Sequence, residues 1–528
     1  MKHTTTAKNA IILAAGFGMR MVPINMEQPK GLLRINGQPI IEHTIMQLHN
    51  VGISDITIVV GFMKECYEYL VEKYGVTLVV NTDYANRNNI YSLQLASDKI
   101  RNTYIIPCDI YCRQNPFSIN ETYSWYMVTD RKSENSNICV NSEGELLVVE
   151  SCGKGNDMLG IAYINDEKAI YLRNKIKQIC EATKWSDAFW EKALYEEGRM
   201  IVRAKVVSAY ENFEINTFEQ LREIDKESEN LKSDVLSLIA NVFNTEEEKI
   251  NNISMLKKGM TNRSFKFSVE NNDYIMRIPG SGTDKLINRM QEYEVYSQIK
   301  DMDICEKIYY INPYNGYKIA GYIDNANNCD AYNWDEVKKC IMVLKEFHEK
   351  KLKVQHTFDL YGKLEFYENL WKEKSKFNDY EETKANVYRL KKFIEKQDKE
   401  WTLTHIDANA DNFLIWKDKE QKEKITLIDW EYAAMQDAHL DIAMFGIYSM
   451  YDREGMDKLI DCYFEGMCDN MVRLKIYAYI AVGGMIWSNW CEYKRQSGQE
   501  FGEYSTCQYM YAKKYSKIVL DKLEELNV

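Results

Sequence analysis

Apolar and polar positions follow two different textures along this chain. In the first part, short unbroken apolar runs alternate with amphipathic ones. "NAIILAAG" is a continuous apolar run closed by glycine, as expected of a strand buried on both faces of a parallel sheet. "PIIEHTIMQLHNVG" follows, with Pro39 at a helix start, Ile41, Ile45 and Leu48 at helical spacing and Gly52 as a stop. "DITIVVG" predicts the next strand, a helix is expected from Lys64 to Tyr74, and "VTLVVN" and "TYIIPCD" repeat the strand signal. Strand and helix in alternation imply a mostly parallel sheet with helices on both faces, which binds ligands at the carboxyl ends of its strands.

Near Leu221 the texture changes. "REIDKESENLKSD" is polar and charged and reads as a helix end or linker. Beyond it, "SFKFSVENNDYIMRI" alternates on both sides of "ENND" and predicts a hairpin, and "IYYINPYNGYKIAGYI" predicts another. From Asn333 onward helical patterns dominate. A boundary near residue 230 follows, giving domains at 1–230 and 231–528. The chain shows no internal repeat and no low-complexity segment. The longest apolar stretch, Ile476 to Trp487, falls short of the ~18–20 residues that span a bilayer and is read as a buried helix.

Composition narrows the class. A chain of 528 residues is too long for one core, and 45% apolar with 28% charged residues is globular. A net charge of −12 argues against a nucleic-acid partner, which selects for a basic face. The 13 cysteines show no CxxC pair and no zinc spacing; Cys108 and Cys112 are near neighbours but are read as bland. The apolar run in "MKHTTTAKNAIILAAG" is too short for a leader or anchor, so the expectation is a cytoplasmic protein with reduced thiols and no membrane insertion.

The first candidate chemistry lies in "LAAGFGMRMVPINMEQPKGLL". Gly16 and Gly18 follow the first strand, and without Cβ atoms they let backbone N–H groups approach phosphate oxygens. Arg20 and Lys30 bring positive charge to the same place. Together they predict a nucleoside triphosphate site.

With these residues the segment resembles the nucleotidyltransferases of sugar phosphates and amino alcohols, whose signature is LAAGxGxR followed by PK. The resemblance covers roughly residues 8–225 and implies a Rossmann-like α/β domain. It implies that Leu13, Ala14, Ala15, Gly16, Gly18, Arg20 and Lys30 meet CTP, with Arg20 and Lys30 catalytic. "NNIYSL" resembles the base-binding segment of the phosphocholine cytidylyltransferase branch and adds Asn88, Asn89 and Ser92. In "IIPCDIY" Asp109 stands where the family keeps a magnesium aspartate. "YENFEINTFEQLREID" resembles the closing segment, but Asn216 stands where the family often has a second metal carboxylate. Asn216 and Glu214 are both carried forward as that ligand. Trp185, Phe189 and Trp190, in "KWSDAFWEKALYEE", are read as core ahead of a cage for a quaternary ammonium.

A second cluster crowds His405, Asp407, Asn409, Asp411 and Asn412 into "THIDANADNFLIW". Polar groups beside a core need partners or a purpose. "HIDANADN" fits H-x-D-x-x-x-x-N, the kinase catalytic loop: Asp407 takes the substrate hydroxyl proton and Asn412 holds Mg²⁺. Asp429 in "ITLIDWEYA" takes the place of the DFG aspartate, and His405 is read as a brace. Upstream, Thr261 and Asn262 in "KKGMTNRSFKF" sit where kinases cover the phosphates. Arg277 stands at the strand-lysine position, Glu292 is its partner from the next helix, and Tyr322 and Ile323 form the hinge that meets adenine.

This half, roughly residues 235–525, resembles the bacterial choline kinases within the choline and aminoglycoside kinase superfamily. The resemblance implies a bilobal protein-kinase-like domain. It also implies a choline site of Glu431, Tyr432, the Trp487 and Trp490 of "WSNW", and Tyr511. The two resemblances together imply a bifunctional enzyme with Mg²⁺ as cofactor and choline, ATP, phosphocholine and CTP as small-molecule partners. Ethanolamine or 2-aminoethylphosphonate on the same two folds, or an aminoglycoside-type kinase fused to a sugar-phosphate nucleotidyltransferase, are the rival readings.

Overall fold

The computed structural model describes residues 4–18, 21, 23–24, 28–148, 154–182, 187–256, 262–280, 283, 286–496 and 501–526. The chain divides into two compact units. One holds residues 1–256 with the short stretch 267–270, and the other holds 257–266 with 271–528.

The first unit is built on a large sheet. Its centre is parallel, with strands Thr77–Val80, Ile56–Val60, Asn9–Ala14 and Thr103–Pro107 as successive neighbours. All six residues of Asn9–Ala14 are buried, which is why the run is apolar without alternation. Its side chains still divide by parity. Ala10, Ile12 and Ala14 pack with Ile41, Ile45 and Leu48 of the helix Ile40–Asn50. Ile11, Leu13 and Ala15 join Ile90, Leu93, Leu172 and Ile176 on the opposite face. Helices therefore cover both faces, as the alternation predicts. Beyond Thr103–Pro107 the sheet becomes mixed. Gly155–Ile164 runs antiparallel to Thr103–Pro107 and to Trp125–Ser133, while Trp125–Ser133 is parallel to Arg199–Val207. The parallel pattern thus describes the part of the sheet that carries the strand-end loops.

The second unit opens with the predicted hairpins. Asn262–Val269 and Asn272–Pro279 are joined by Glu270 and Asn271, both at positive φ (49° and 64°), as a tight two-residue turn requires. Lys318–Gly321 pairs antiparallel with Asn272–Pro279 and with Ile308–Ile311. Helix Arg289–Ile299 lies between these hairpins in sequence, and helices dominate from Trp334 on. Helix Asn470–Gln496 is buried continuously from Leu474 to Glu492 and holds the stretch read as a core helix. At Gly484 a Cβ would lie 2.6 Å from the Gln508 carbonyl oxygen, so glycine permits close approach of the helix Glu503–Glu525. Among the described residues no helix is long and apolar enough to cross a membrane.

Candidate active sites

In the first unit, Asn9–Ala14 ends in Ala15 and Gly16, and Gly18 follows at φ +65°. A Cβ on Gly18 would touch the Lys30 stem at 3.4 Å, so the loop and Lys30 are packed together. Lys30 opens a short 3-10 turn behind Pro29, and its ammonium bonds Asp109 Oδ2 and, at 2.6 Å, Asn216 Oδ1. Asp109 lies in the turn between Thr103–Pro107 and Ile110–Cys112. Ile110–Cys112 pairs with Asn212–Glu214, Ile215 N–H donates to Asp109 O, and Asn216 is thereby delivered beside Asp109. The structure thus joins three residues that the sequence keeps far apart. Arg20 lies outside the described residues.

Asp109 Oδ1 is buried and has no hydrogen-bond partner among the described residues. Nearby is a carboxyl that the sequence reading missed. Glu191 receives a hydrogen bond from the Tyr126 hydroxyl at 3.2 Å through Oε1, and its Oε2 is a second buried, partnerless oxygen. Burial, then the charges of Glu214 and Asp109, push Glu191 up to about 7. The cue in sequence is slight, an acidic residue inside the turn Trp190–Leu194, whose Trp190, Ala193 and Leu194 are buried.

Asn88 caps helix Asn89–Leu95 and donates to Asp187 O at 3.0 Å, while Asn89 Oδ1 accepts Trp190 N–H at 2.8 Å. Ser92 is buried and accepts from Asn81 at 3.0 Å. Trp190 is core, packed on Tyr126; Phe189 is exposed; Trp185 lies outside the described residues.

In the second unit the polar crowd is placed by topology. Trp401–Thr404 pairs with Ala434–Asp437, and Phe413–Lys417 pairs with Glu423–Leu427. The loops 405–412 and 428–433 therefore connect the same two ladders and must face each other. Ile428 N–H donates to Asn412 O at 2.9 Å across the gap. Asp441, fully buried, accepts His405 N–H and Ile406 N–H at 2.7 Å and His348 Nε2 at 3.0 Å. It thereby holds the loop where Ile406 adopts φ +67°. Asp407 is bonded by Asn409 (3.2 Å) and Asn412 (3.1 Å), yet burial pushes its carboxyl up to about 7. Burial, with the charges of Glu431 and Asp407, also raises Asp429, which sits at φ +67°. His405 Nε2 meets Ile428 O at 3.0 Å, its ring packs on Trp430, and burial lowers it to about 4, so it is a neutral brace.

Arg277 and Glu292 form a buried two-pronged pair, with Arg289 also bonded to Glu292 at 2.9 Å. Burial opposes the Glu292 charge, but Arg277, Lys318 and Arg289 outweigh it and hold the carboxyl at about 2. Glu431 accepts from Arg289 and from Asn262 at 3.0 Å each. Tyr322 and Ile323 line a cavity of about 440 Å³ with Tyr274, Tyr309 and Trp416, and the Lys266 ammonium lies 4.0 Å above the Tyr322 ring. Thr261 lies outside the described residues.

Trp487 is the centre of a ring cluster. Tyr432 meets it edge-on at 5.7 Å, Tyr448 lies at 5.5 Å, Trp490 at 6.2 Å and Tyr367 at 6.3 Å between centroids. Tyr511 has other partners: its hydroxyl donates to Tyr451 O at 2.7 Å, its Cβ lies close to Gly484 and its ring packs on Tyr515. Tyr367 and Tyr448 are members that the sequence reading missed. Tyr448 is seven residues from Asp441 on helix His439–Tyr448, hence on the same face, and its hydroxyl reaches toward Asp407.

Comparison with known proteins agrees with this division. The Choline/ethanolamine kinase family matches residues 253–464, and the MobA-like NTP transferase domain matches residues 10–147. A choline-phosphate cytidylyltransferase of Streptococcus pneumoniae is 32% identical over 227 residues, 41% of this chain and 96% of that protein. Protein LicA of Haemophilus influenzae is 23% identical over 265 residues, 47% of this chain and 94% of that protein. The crystal structure of choline kinase LicA from Streptococcus pneumoniae is similar at 26% identity over 54% of this chain and 99% of that one, with a TM-score of 0.46.

Proposed function

We propose that this chain, which belongs through its N-terminal part to the family of the choline-phosphate cytidylyltransferases and carries a choline/ethanolamine kinase domain behind it, makes CDP-choline in two steps. In the kinase domain Asp407 takes the choline hydroxyl proton and the oxygen attacks the γ-phosphorus of ATP, releasing ADP. In the transferase domain a phosphate oxygen of phosphocholine attacks the α-phosphorus of CTP and pyrophosphate leaves. Lys30, joined by Arg20, neutralises charge on the nucleotide phosphates.

The observation that carries the choline assignment is the ring cluster around Trp487 close to a half-buried Asp407. A trimethylammonium group donates no hydrogen bonds, and aromatic faces attract it at about 0.5–2 kcal/mol each. Glu431, tied to Arg289 and Asn262, adds negative charge next to Tyr432. In the transferase domain the half-buried Glu191, with its partnerless Oε2, suits the cationic head of phosphocholine.

Both sites fit a divalent cation. Asp109, with its orphaned oxygen, and Asn216 would hold one; Asp429 and Asn412, beside a second buried carboxylate, would hold another. Mg²⁺ bound there would screen the phosphate oxygens. Asn216 is preferred to Glu214 as the partner of Asp109, because one ammonium already bridges Asn216 and Asp109. We place the functional boundary near residue 230, after helix Phe218–Ile224, and the enzyme in a bacterial cytoplasm, a reading supported by the bacterial sources of its relatives and by the free cysteines among the described residues.

Incubation with ATP, CTP, Mg²⁺ and a panel of choline, ethanolamine and 2-aminoethylphosphonate, followed by phosphorus NMR, tests the reading. Phosphocholine and then CDP-choline are expected from choline. Turnover favouring ethanolamine or the phosphonate would overturn the choline assignment.

A further inference from the structure

The Lys30 ammonium lies between Asp109 and Asn216, the two residues assigned to the transferase metal. Its stem is packed against Gly18, and the side chains of Lys30 and Asp109 are only 10% and 17% exposed, so the pair is held inside the site and not at a solvated rim. The local charge balance is unusual. With an amide at position 216, the ammonium and the Asp109 carboxylate cancel one another. The second Asp109 oxygen, Oδ1, is buried without a partner among the described residues. One half of the carboxylate is thus engaged by a cation of the chain itself, and the other half has no partner among the described residues.

We propose that Lys30 is the resident counter-cation of the transferase metal site: in the nucleotide-free chain it bars Mg²⁺ from Asp109 and Asn216, and it yields only to a nucleotide whose phosphates draw the ammonium away. The inference rests on the cytidylyltransferase reading. A hard dication seeks anionic oxygens, and its affinity rises with the charge of the ligands. A lysine ammonium bonded to the same oxygens lowers that charge and repels the incoming ion. A triphosphate supplies both the anion that relocates the lysine and further oxygens for the metal. Metal and nucleotide then bind with positive coupling, which is reciprocal by linkage. The amide at position 216 sharpens the device, because the two partners of the ammonium then carry one negative charge between them, matched by its own.

The test is Mn²⁺ binding to the full chain without nucleotide, read from the loss of the free-ion EPR signal. Asp429→Asn is carried throughout to remove the metal carboxylate of the kinase domain. Lys30→Met and Lys30→Gln, both without the charge, are expected to bind one Mn²⁺ at least tenfold more tightly than the parent. Lys30→Arg, which keeps a cation, is expected to stay as weak as the parent. Adding Asp109→Asn is expected to abolish the gain. Circular dichroism melting of each variant checks folding, and the Gln variant serves if the Met variant misfolds. Affinities of both neutral variants within twofold of the parent would overturn the inference, as would a gain that survives Asp109→Asn. Failure of the underlying reading has a separate signature: the parent would then form no CDP-choline from CTP and phosphocholine, whatever the Mn²⁺ result.

Discussion

The two sites solve the same problem, holding polyphosphate beside an attacking oxygen, with different architectures. The kinase site draws its oxygens from residues 405–412 and 428–433, two loops that link the same pair of strand ladders. Its polar groups are largely bound to one another before any substrate arrives: Asp441 to the loop backbone, Asn409 and Asn412 to Asp407, Arg277 to Glu292. The transferase site collects Gly16, Lys30, Asp109, Glu191 and Asn216 from separate parts of the sheet, and two of its buried carboxyl oxygens have no partner among the described residues. A preorganised site spends its polar groups on geometry, whereas a site with orphaned oxygens reserves them for ligands. The kinase site is therefore expected to be sensitive to the loss of any internal bond, and the transferase site to the loss or gain of charge.

The largest effect is expected from Asp407→Ala, which should reduce choline phosphorylation by about 10³-fold while leaving CDP-choline synthesis from supplied phosphocholine unchanged. Separate assays of the two steps check this, and equal loss in both would end the claim of independent sites. Asp441→Ala leaves two backbone N–H groups and His348 without their acceptor, so it should destabilise the kinase domain by about 3–5 kcal/mol. Denaturant titration should then show an early transition, with transferase activity outlasting it; a single unshifted transition would show that the loop is held by other means. Asp109→Ala should cost the cytidylyl step roughly 10²-fold at limiting Mg²⁺, and, because the Lys30 ammonium loses its carboxylate partner, it should also lower the melting temperature of the transferase domain, read by circular dichroism.

Trp487→Ala should raise KM for choline by about tenfold with little change in KM for ATP. If both constants move together, the ring is core alone. The smallest effect is a pH shift. Burial pushes Asp407 up to about 7, so the ionised base is lost, and kcat/KM falls, as pH drops below that value. The Asn409 amide donates to the Asp407 carboxylate and favours its ionised form, so Asn409→Ala should raise the pKa further and move the acid limb upward by less than about one pH unit. A limb that stays in place would show that Asn409 braces the loop without tuning the base.

How far each site was legible follows from the same contrast. Asp407, Asn412 and Asp429 could be singled out in sequence because local loops impose fixed spacing, and Arg277 and Glu292 because a strand and the following helix do. Tyr367 and Tyr448 were missed because helix packing brings them to Trp487 from distant positions with no shared spacing. Tyr511 was assigned to the choline site on the family resemblance; its helix approaches Gly484 closely, and its hydroxyl bonds Tyr451 O. Glu191 escaped because it belongs to no spaced motif, and only folding brings its charge near that of Asp109.

The linear order of residues determined what depends on neighbours: the parallel core of the first unit, both hairpins, the glycine-rich strand end and the kinase loops. Periodicity, turn chemistry and motif spacing all act over a few residues, so they survive in sequence alone. Tertiary structure decided what depends on charge and burial across distance. It placed one ammonium between Asp109 and Asn216, left an oxygen of Asp109 without a partner, raised Asp407 toward neutrality and chose which rings surround Trp487. Electrostatic and packing energies depend on separation in space and on excluded water, and neither quantity is encoded by separation along the chain.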